Sequence, residues 1–236
     1  MLAVASVCLA AEEMAYAPRK GGIGGQIGAS YFRFDRAFGL DWFGDYSAGA
    51  ETRFSFSGQF RYVFTPSFRG QVSLGFTWAA YSHDYRAPFS DPNFPTETGK
   101  GSYLTELLPV SVQAQYVMKR GWWLYHAGAG PGVYRAWVEN HRKVLKDPES
   151  LKLHRGLYPG ASAEIGAELF LKSITTTSIE CTVAGHLAFA KRPDDFIHGF
   201  NSNLMALEAR LGVNYYFNVG GAPKKSTEPL PGLPNP

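Results

Sequence analysis

The stretch Arg53-Phe54-Ser55-Phe56-Ser57-Gly58-Gln59-Phe60-Arg61-Tyr62-Val63-Phe64, followed by Thr65-Pro66-Ser67 and Phe68-Arg69-Gly70-Gln71-Val72-Ser73-Leu74-Gly75-Phe76-Thr77-Trp78, reads as two strands joined by a turn. In the first run Phe54, Phe56, Phe60, Tyr62 and Phe64 share one face, and Arg53, Ser55, Ser57, Gln59 and Arg61 the other. In the second, Phe68, Val72, Leu74, Phe76 and Trp78 oppose Arg69, Gln71, Ser73 and Thr77. Successive side chains of a strand point to opposite faces, so strict alternation means two surfaces of different chemistry.

The same pattern extends outward. Residues 22–34 set Ile23, Ile27, Ala29 and Tyr31 against Gln26 and Ser30; residues 104–118 set Leu108, Val110, Val112, Ala114, Tyr116 and Met118 against Ser111, Gln113 and Gln115. Residues 122–136 are glycine-rich and their facing is ambiguous. Residues 157–171 set Ala161, Ala163, Ile165, Ala167, Leu169 and Leu171 against Ser162, Glu164 and Glu168. Residues 175–189 set Ile179, Cys181, Val183, Leu187 and Phe189 against Glu180, Thr182 and His186. Residues 204–217 set Leu207, Ala209, Leu211, Val213, Tyr215 and Phe217 against Glu208, Arg210 and Asn214. The connections alternate: long at 35–50, 82–103, 137–155 and 190–203, short at 65–67, 119–121 and 172–174.

Which face points inward decides the class. A soluble barrel of eight strands would turn the apolar face in, but its interior is only just wide enough to fill with side chains. Five aromatics from one strand and five large apolar residues from the next do not fit there; they fit outside, against lipid. Closure satisfies every strand edge in a solvent that offers no hydrogen bonds. The expectation is all-β: an eight-stranded antiparallel transmembrane β-barrel spanning residues 22–217, with tight turns and both termini on the periplasmic side. Phe64, Phe68, Tyr116, Trp122, Trp123, Tyr215 and Phe217 are expected to form a girdle at the turn end, with Tyr31 and Trp78 contributing at the other. Composition agrees, with 18% charged residues, 15% aromatics and 26 glycines in 236 residues. No apolar run reaches the ~18–20 residues of a membrane-crossing helix. A formal charge of +3 is too small to argue for nucleic acid.

The last strand ends Arg210-Leu211-Gly212-Val213-Asn214-Tyr215-Tyr216-Phe217, with Arg210, Gly212, Tyr215 and Phe217 in a polar, glycine, aromatic, aromatic spacing. This resembles the C-terminal insertion signal of bacterial outer-membrane barrels. Together with Leu108-Pro109-Val110-Ser111-Val112-Gln113-Ala114-Gln115-Tyr116 and Gly128-Ala129-Gly130-Pro131-Gly132-Val133-Tyr134, it resembles the small outer-membrane β-barrel superfamily, which includes the OmpA transmembrane domain, OmpX and OmpW. The resemblance implies the outer membrane of a Gram-negative cell envelope, surrounding lipid and lipopolysaccharide, and the barrel-assembly machinery as a partner during insertion. Residues 218–236 do not read as a peptidoglycan-binding domain, so an OmpA-type wall anchor is not expected.

Residues 1–11 read as the end of a signal peptide, with cleavage expected near Ala10 or Ala11; no basic segment precedes the apolar run, which leaves the true start open to an upstream position. Cys8 invites a lipoprotein reading, but Val7 is large for the residue before a lipidated cysteine. The other cysteine, Cys181, has no mature partner, so no disulfide is expected. Residues 218–236 hold five prolines with Lys224 and Lys225 and read as a disordered periplasmic tail, either solvated or touching a periplasmic partner.

Function is less legible. The inward face offers Arg53, Arg61, Arg69 and Arg210 against Glu164, Glu168, Glu180 and Glu208. Matched numbers suggest neutralisation, either as a plug that stabilises a closed barrel or as the lining of a narrow ion-selective pore; the plug is favoured because eight strands leave little lumen. Arg142, Lys143, Lys146, Lys152 and Arg155 surround the third long connection and are candidates for lipopolysaccharide phosphates, against the alternative of an exposed mixed-charge loop. No catalytic residue is assigned. Glu164 and Glu168 stand about 13 Å apart along a strand, and neighbours in Ser82-His83-Asp84 cannot form a relay on an extended chain. Outer-membrane lipid A deacylases look similar in architecture and carry His-x-Ser; here His126-Ala127-Gly128 and His186-Leu187-Ala188 lack the serine. Asp35, Asp41 and Asp45 lack a calcium-loop spacing, and His141 and His154 lie apart, so no metal or cofactor is assigned. The expected function is a non-enzymatic barrel that supports the envelope and interacts at the surface through its extracellular loops, with a surface or periplasmic protein as candidate partner; a passive pore and a lipid-modifying enzyme are the alternatives.

Overall fold

The computed structural model describes residues 20–33, 53–84, 100–140, 143–144, 152–153, 155–171, 174–192, 200 and 203–217. The signal segment, the tail, and residues Asp35, Asp41, Asp45, His141, Arg142, Lys146 and His154 lie outside them. The strands are β1 (Gly21–Arg33), β2 (Arg53–Thr65), β3 (Phe68–Asp84), β4 (Lys100–Arg120), β5 (Trp123–Asn140), β6 (Lys143–Val144), β7 (Arg155–Leu171), β8 (Ile174–Ala188) and β9 (Leu204–Phe217). β6 is a two-residue extension folded back on β5, where Val144 meets Glu139.

The other eight close an antiparallel barrel: each long strand pairs with its sequence neighbour, and β1 pairs with β9 from Gly21↔Phe217 to Arg33↔Met205. Tight turns set the registers at one end. Thr65 pairs with Phe68 across Pro66 and Ser67. Arg120 pairs with Trp123 across Gly121 and Trp122. Gly121 holds φ at +57°, the left-handed conformation that glycine enters without steric cost.

Three strands run longer than the alternation predicts. β3 continues to Asp84, β4 begins at Lys100 and β5 reaches Asn140, so 82–84, 100–103 and 137–140 belong to the wall and not to loops. Ser82, His83 and Asp84 pair with Ser102, Gly101 and Lys100. The ladder persists because backbone groups still need partners; the apolar alternation stops because the outer face has passed beyond hydrocarbon.

The apolar face is outside. Ile27, Phe64, Tyr116, Ile165 and Leu211 are each more than 60% exposed, whereas Arg61, Gln71, Gln115, Glu168 and Glu180 are at most 2% exposed. β5 resolves its ambiguity: Leu124, His126, Tyr134 and Ala136 face inward, and Trp123, Tyr125, Ala127, Ala129, Pro131 and Val133 outward. Inward glycines make this narrow interior habitable. A Cβ on Gly22 would sit 2.8 Å from the Tyr216 ring, one on Gly132 2.8 Å from Tyr134, and one on Gly166 2.5 Å from His126.

Trp122 departs from the expected girdle. It packs against an inner cluster of Val117, Leu124, Phe170 and Tyr216 that closes the turn end. The turn that carries it folds over the barrel's floor, whereas Trp123, the first strand residue, points to lipid and stacks on Tyr125 at 6.3 Å.

Candidate functional site

The polar interior is one connected network above the Trp122 cluster. Glu168, from β7, is its hub. It accepts from Arg61 Nη1 at 3.0 Å, Arg69 Nη1 at 2.6 Å, Ser178 Oγ at 2.9 Å, Tyr216 Oη at 2.6 Å and Asn214 Nδ2 at 3.4 Å. Arg61 also spans to Glu180, Nη2 to Oε1 at 2.5 Å, and donates from Nε to Gln71 at 2.6 Å. Arg69 donates from Nε to Gln115, which in turn donates to Glu164.

One row higher, amides take over. Glu180 Oε2 accepts from Gln26, Gln59 and Asn214 at 2.7, 2.8 and 3.1 Å. Glu164 accepts from Gln71 at 3.0 Å. Above these, Arg210 pairs with Glu208, donates to Ser57 Oγ at 3.2 Å and lies 3.0 Å from His186 Nε2. Tyr134 donates to the Ala161 carbonyl at 2.7 Å. The donors and acceptors come from every barrel strand, so the network is a set of struts across the lumen.

Apolar groups close the loop end as well. Leu107, Ala136, Tyr158, Ala188, Ala190, Phe200 and Leu204 are all buried. Phe200 is drawn in from the last long connection: its N–H donates to the Ala190 carbonyl at 3.2 Å, and its ring meets Tyr158 edge-on at 5.9 Å. The charged layer therefore lies between two groups of buried apolar side chains.

Seven of the eight lumen charges expected from sequence lie in this network: Arg61, Arg69, Glu164, Glu168, Glu180, Glu208 and Arg210. Arg53 belongs to β2, opposite Ser30, but its side chain lies outside the described ones. His126 was missed, because a histidine among glycines on β5 carries no facing signal of its own. Its Nε2 stands 2.9 Å from Glu180 Oε1 without hydrogen-bond geometry, and both ring nitrogens lack a hydrogen-bond partner. His126, Glu168 and Glu180 bring one ligand atom each within 4.8 Å of one another. The two carboxylates already bind Arg61 and Arg69, so a divalent ion would have to displace a guanidinium. No hydrogen-bond partner is found either for Arg69 Nη2, Ser55 Oγ, Thr77 Oγ1 or Glu208 Oε1, so the struts are tight but not saturated.

The insertion-signal residues divide between the two surfaces. Arg210 is in the lumen, Tyr215 is exposed and stacks on Phe217 at 6.4 Å, and Gly212 leaves room for Gln26. Of the basic residues around the third connection, Lys143 belongs to β6, and Lys152 and Arg155 are exposed at the loop end. Cys181 is free and exposed on the outer face.

No family model matches the chain, and no curated protein matches it. Among solved structures it is similar to Neisserial surface protein A, with a TM-score of 0.50, 12% identity, and coverage of 84% of this chain and 97% of that one. It is also similar to the outer-membrane protein OprG of Pseudomonas aeruginosa, at 0.48 and 13% identity over 86% and 99% of the two chains. Ail of Yersinia pestis, solved with the heparin analogue sucrose octasulfate, scores 0.45 at 12% identity over 84% and 99%. Identities this low carry the fold and nothing finer. That fold is a small closed β-barrel, the architecture of these outer-membrane proteins, and the apolar exterior is that of a membrane-spanning one.

Proposed function

We propose that this small barrel is a non-enzymatic, non-conducting protein of the bacterial outer membrane, with its termini in the periplasm and its loop end presented as an interaction surface. The observation that carries the reading is the filled lumen. Arg61, Arg69, Glu168 and Glu180 are at most 1% exposed and bonded across it, with apolar caps at both ends. Buried charges are tolerated when paired and costly when left single. A conducting path would have to break those pairs and hydrate both caps. A locked lumen makes the wall rigid, and a rigid wall suits a platform for loops better than a channel.

The test is planar-bilayer conductance of the refolded protein, wild type beside Arg61→Ala and Glu164→Ala, with folding checked by heat-modifiable gel mobility. The wild type is expected to be silent. Reproducible wild-type steps that change amplitude in the two variants would replace this reading with a pore. Partners then belong at the loop end, a protein or lipopolysaccharide, and binding should be lost on loop deletion while the barrel still folds.

A further inference from the structure

The outer wall of the barrel is not uniform. On β2 and the start of β3 it is aromatic, with Phe54, Phe56, Phe60, Phe64 and Phe68 all exposed. On the opposite side a row of small residues crosses four strands in register: Ala114↔Ala129, Ala129↔Ala163, Ala163↔Gly185. Leu187, Met205, Leu207 and Tyr31 rise beside this floor and bound an apolar hollow of about 750 Å³ that opens to the lipid side.

Directly above, on β5 and β7, stands a pair of cations. The outward residues of β5 are Trp123, Tyr125, Ala127, Ala129, Pro131 and Val133, and the next is Arg135. From Trp123 to Val133 the strand climbs roughly 26 Å along the barrel axis at a tilt of about 40°, close to the ~25 Å height of an outer-membrane apolar band. Arg135 is therefore the first outward position beyond hydrocarbon at the loop end. Its guanidinium lies over Trp137, 5.6 Å from the ring centroid.

Arg135 pairs with Leu157, and Trp137 with Arg155, so the two arginines are diagonal neighbours on β5 and β7. Diagonal partners stand about 7–8 Å apart, a span that two guanidinium groups close around one phosphate. Arg135, Arg155, Gly156 and Leu157 line a hollow of about 360 Å³. Lys152 is exposed nearby, and Glu106, opposite Trp137, is the acidic residue of the same row among the described side chains. Those four residues leave the patch at +2. Leu157, 68% exposed, begins the descent through Pro159 and Ala161 to Ala163, roughly 15 Å down the axis, or one leaflet's depth.

We propose that this face holds one phosphorylated acyl lipid of the leaflet at the loop end, its phosphate on Arg135 and Arg155 and an acyl chain in the Ala129–Ala163–Gly185 trough. Cations and trough share β5 and β7, at the heights where such a lipid carries its headgroup and its chain. The bilayer supplies this occupant in place. The site rests on the membrane-spanning reading, and is independent of whether the lumen conducts.

Native mass spectrometry of the detergent-solubilised, delipidated full chain tests it, with dimyristoyl phosphatidic acid, dimyristoyl phosphatidylcholine and inorganic phosphate as probes. The wild type is expected to retain one phosphatidic acid with about tenfold preference over phosphatidylcholine, whose phosphate is capped by a cation. The double variant Arg135→Gln/Arg155→Gln, or Arg135→Gln alone if the double variant does not fold, should lose that preference. Gly185→Leu should release both lipids. A Cβ there has only the Ala163 carbonyl oxygen within 4 Å, so the wall accepts it. Equal retention of the two lipids by the wild type, unchanged preference in the arginine variants, or full retention by folded Gly185→Leu would each overturn the proposal. Retention of inorganic phosphate as strongly as the lipid would overturn the acyl half. A conducting wild type, by contrast, would overturn the closed-lumen reading and leave these outcomes unchanged.

Discussion

Replacing Glu168 by Gln removes the charge on which five donors converge. Arg61 keeps a second carboxylate, Glu180 at 2.5 Å, but Arg69 loses the one to which it is bridged, Glu168 at 2.6 Å. Both guanidinium groups remain 1% exposed, too buried for bulk solvent to stand in for the lost anion. Breaking a buried pair by removing one partner costs about 3–5 kcal/mol. Gln keeps the volume and one acceptor oxygen, so the expected loss for Glu168→Gln is at the lower end, about 3 kcal/mol. Removing Arg69 as well restores much of the balance. In Glu168→Gln/Arg69→Gln, Arg61 still has Glu180 and Arg210 still has Glu208. The double variant should therefore be more stable than the sum of the single losses by about 2 kcal/mol, within the range for groups in contact. Equilibrium urea unfolding in lipid vesicles, read by tryptophan fluorescence, measures all four corners of the cycle. Additivity to within about 0.5 kcal/mol would refute the reasoning. So would a loss below about 1 kcal/mol for Glu168→Gln, the value of an exposed pair in water.

Tyr216→Phe deletes the hydroxyl that donates to Glu168 at 2.6 Å and accepts from Arg69 at 3.0 Å, and should cost about 1–3 kcal/mol in the same assay. Gly130→Ala would drive a Cβ into the Val112 carbonyl and should destabilise by about 1–3 kcal/mol. Gly25→Ala meets nothing within 4 Å and should stay within about 0.5 kcal/mol of wild type, so equal urea midpoints for the two glycine variants would contradict the register. Cys181 faces lipid, so in vesicles it should react with an apolar maleimide and resist a charged, membrane-impermeant one; rapid labelling by the charged reagent, seen as a mass shift, would place it in water.

Facing was legible wherever lipid and lumen ask for opposite chemistry at i and i+1. In β2 and β9 that contrast is Phe against Ser or Gln, and Leu or Tyr against Glu or Arg, too large to misread. It failed on β5, where Gly128, Gly130 and Gly132 alternate with Ala127, Ala129 and Pro131, a difference of one or a few carbons. The usable signal was the turn: pairing of Arg120 with Trp123 fixes the parity and would have put His126 inside. The tops of β3, β4 and β5 were unreadable for another reason, since alternation reports the solvent outside and not the ladder. Interior Tyr134, Tyr158, Tyr216 and Phe170 were unforeseen because an eight-stranded lumen looks too narrow for rings; glycines such as Gly22, Gly132 and Gly156 supply the width. Sequence specified the signs of the lumen charges. It did not specify their pairing, because which arginine meets which glutamate depends on the stagger with which distant strands close.

The seam between β1 and β9 joins the first described strand to the last through 13 registered pairs. The hairpin β2–β3, closed by two residues, forms at small entropic cost, whereas bringing ends some 190 residues apart together costs on the order of 5 kcal/mol from chain length alone. Until Leu204–Phe217 arrives, both rims of the sheet carry unpaired N–H and C=O groups, which template aggregation in water and go unsatisfied in lipid. Assembly is therefore gated by β9. A protein stalled before its final strand is not a smaller barrel but an open sheet with two adhesive edges, and biogenesis must hold every earlier strand in waiting until the last one can be delivered.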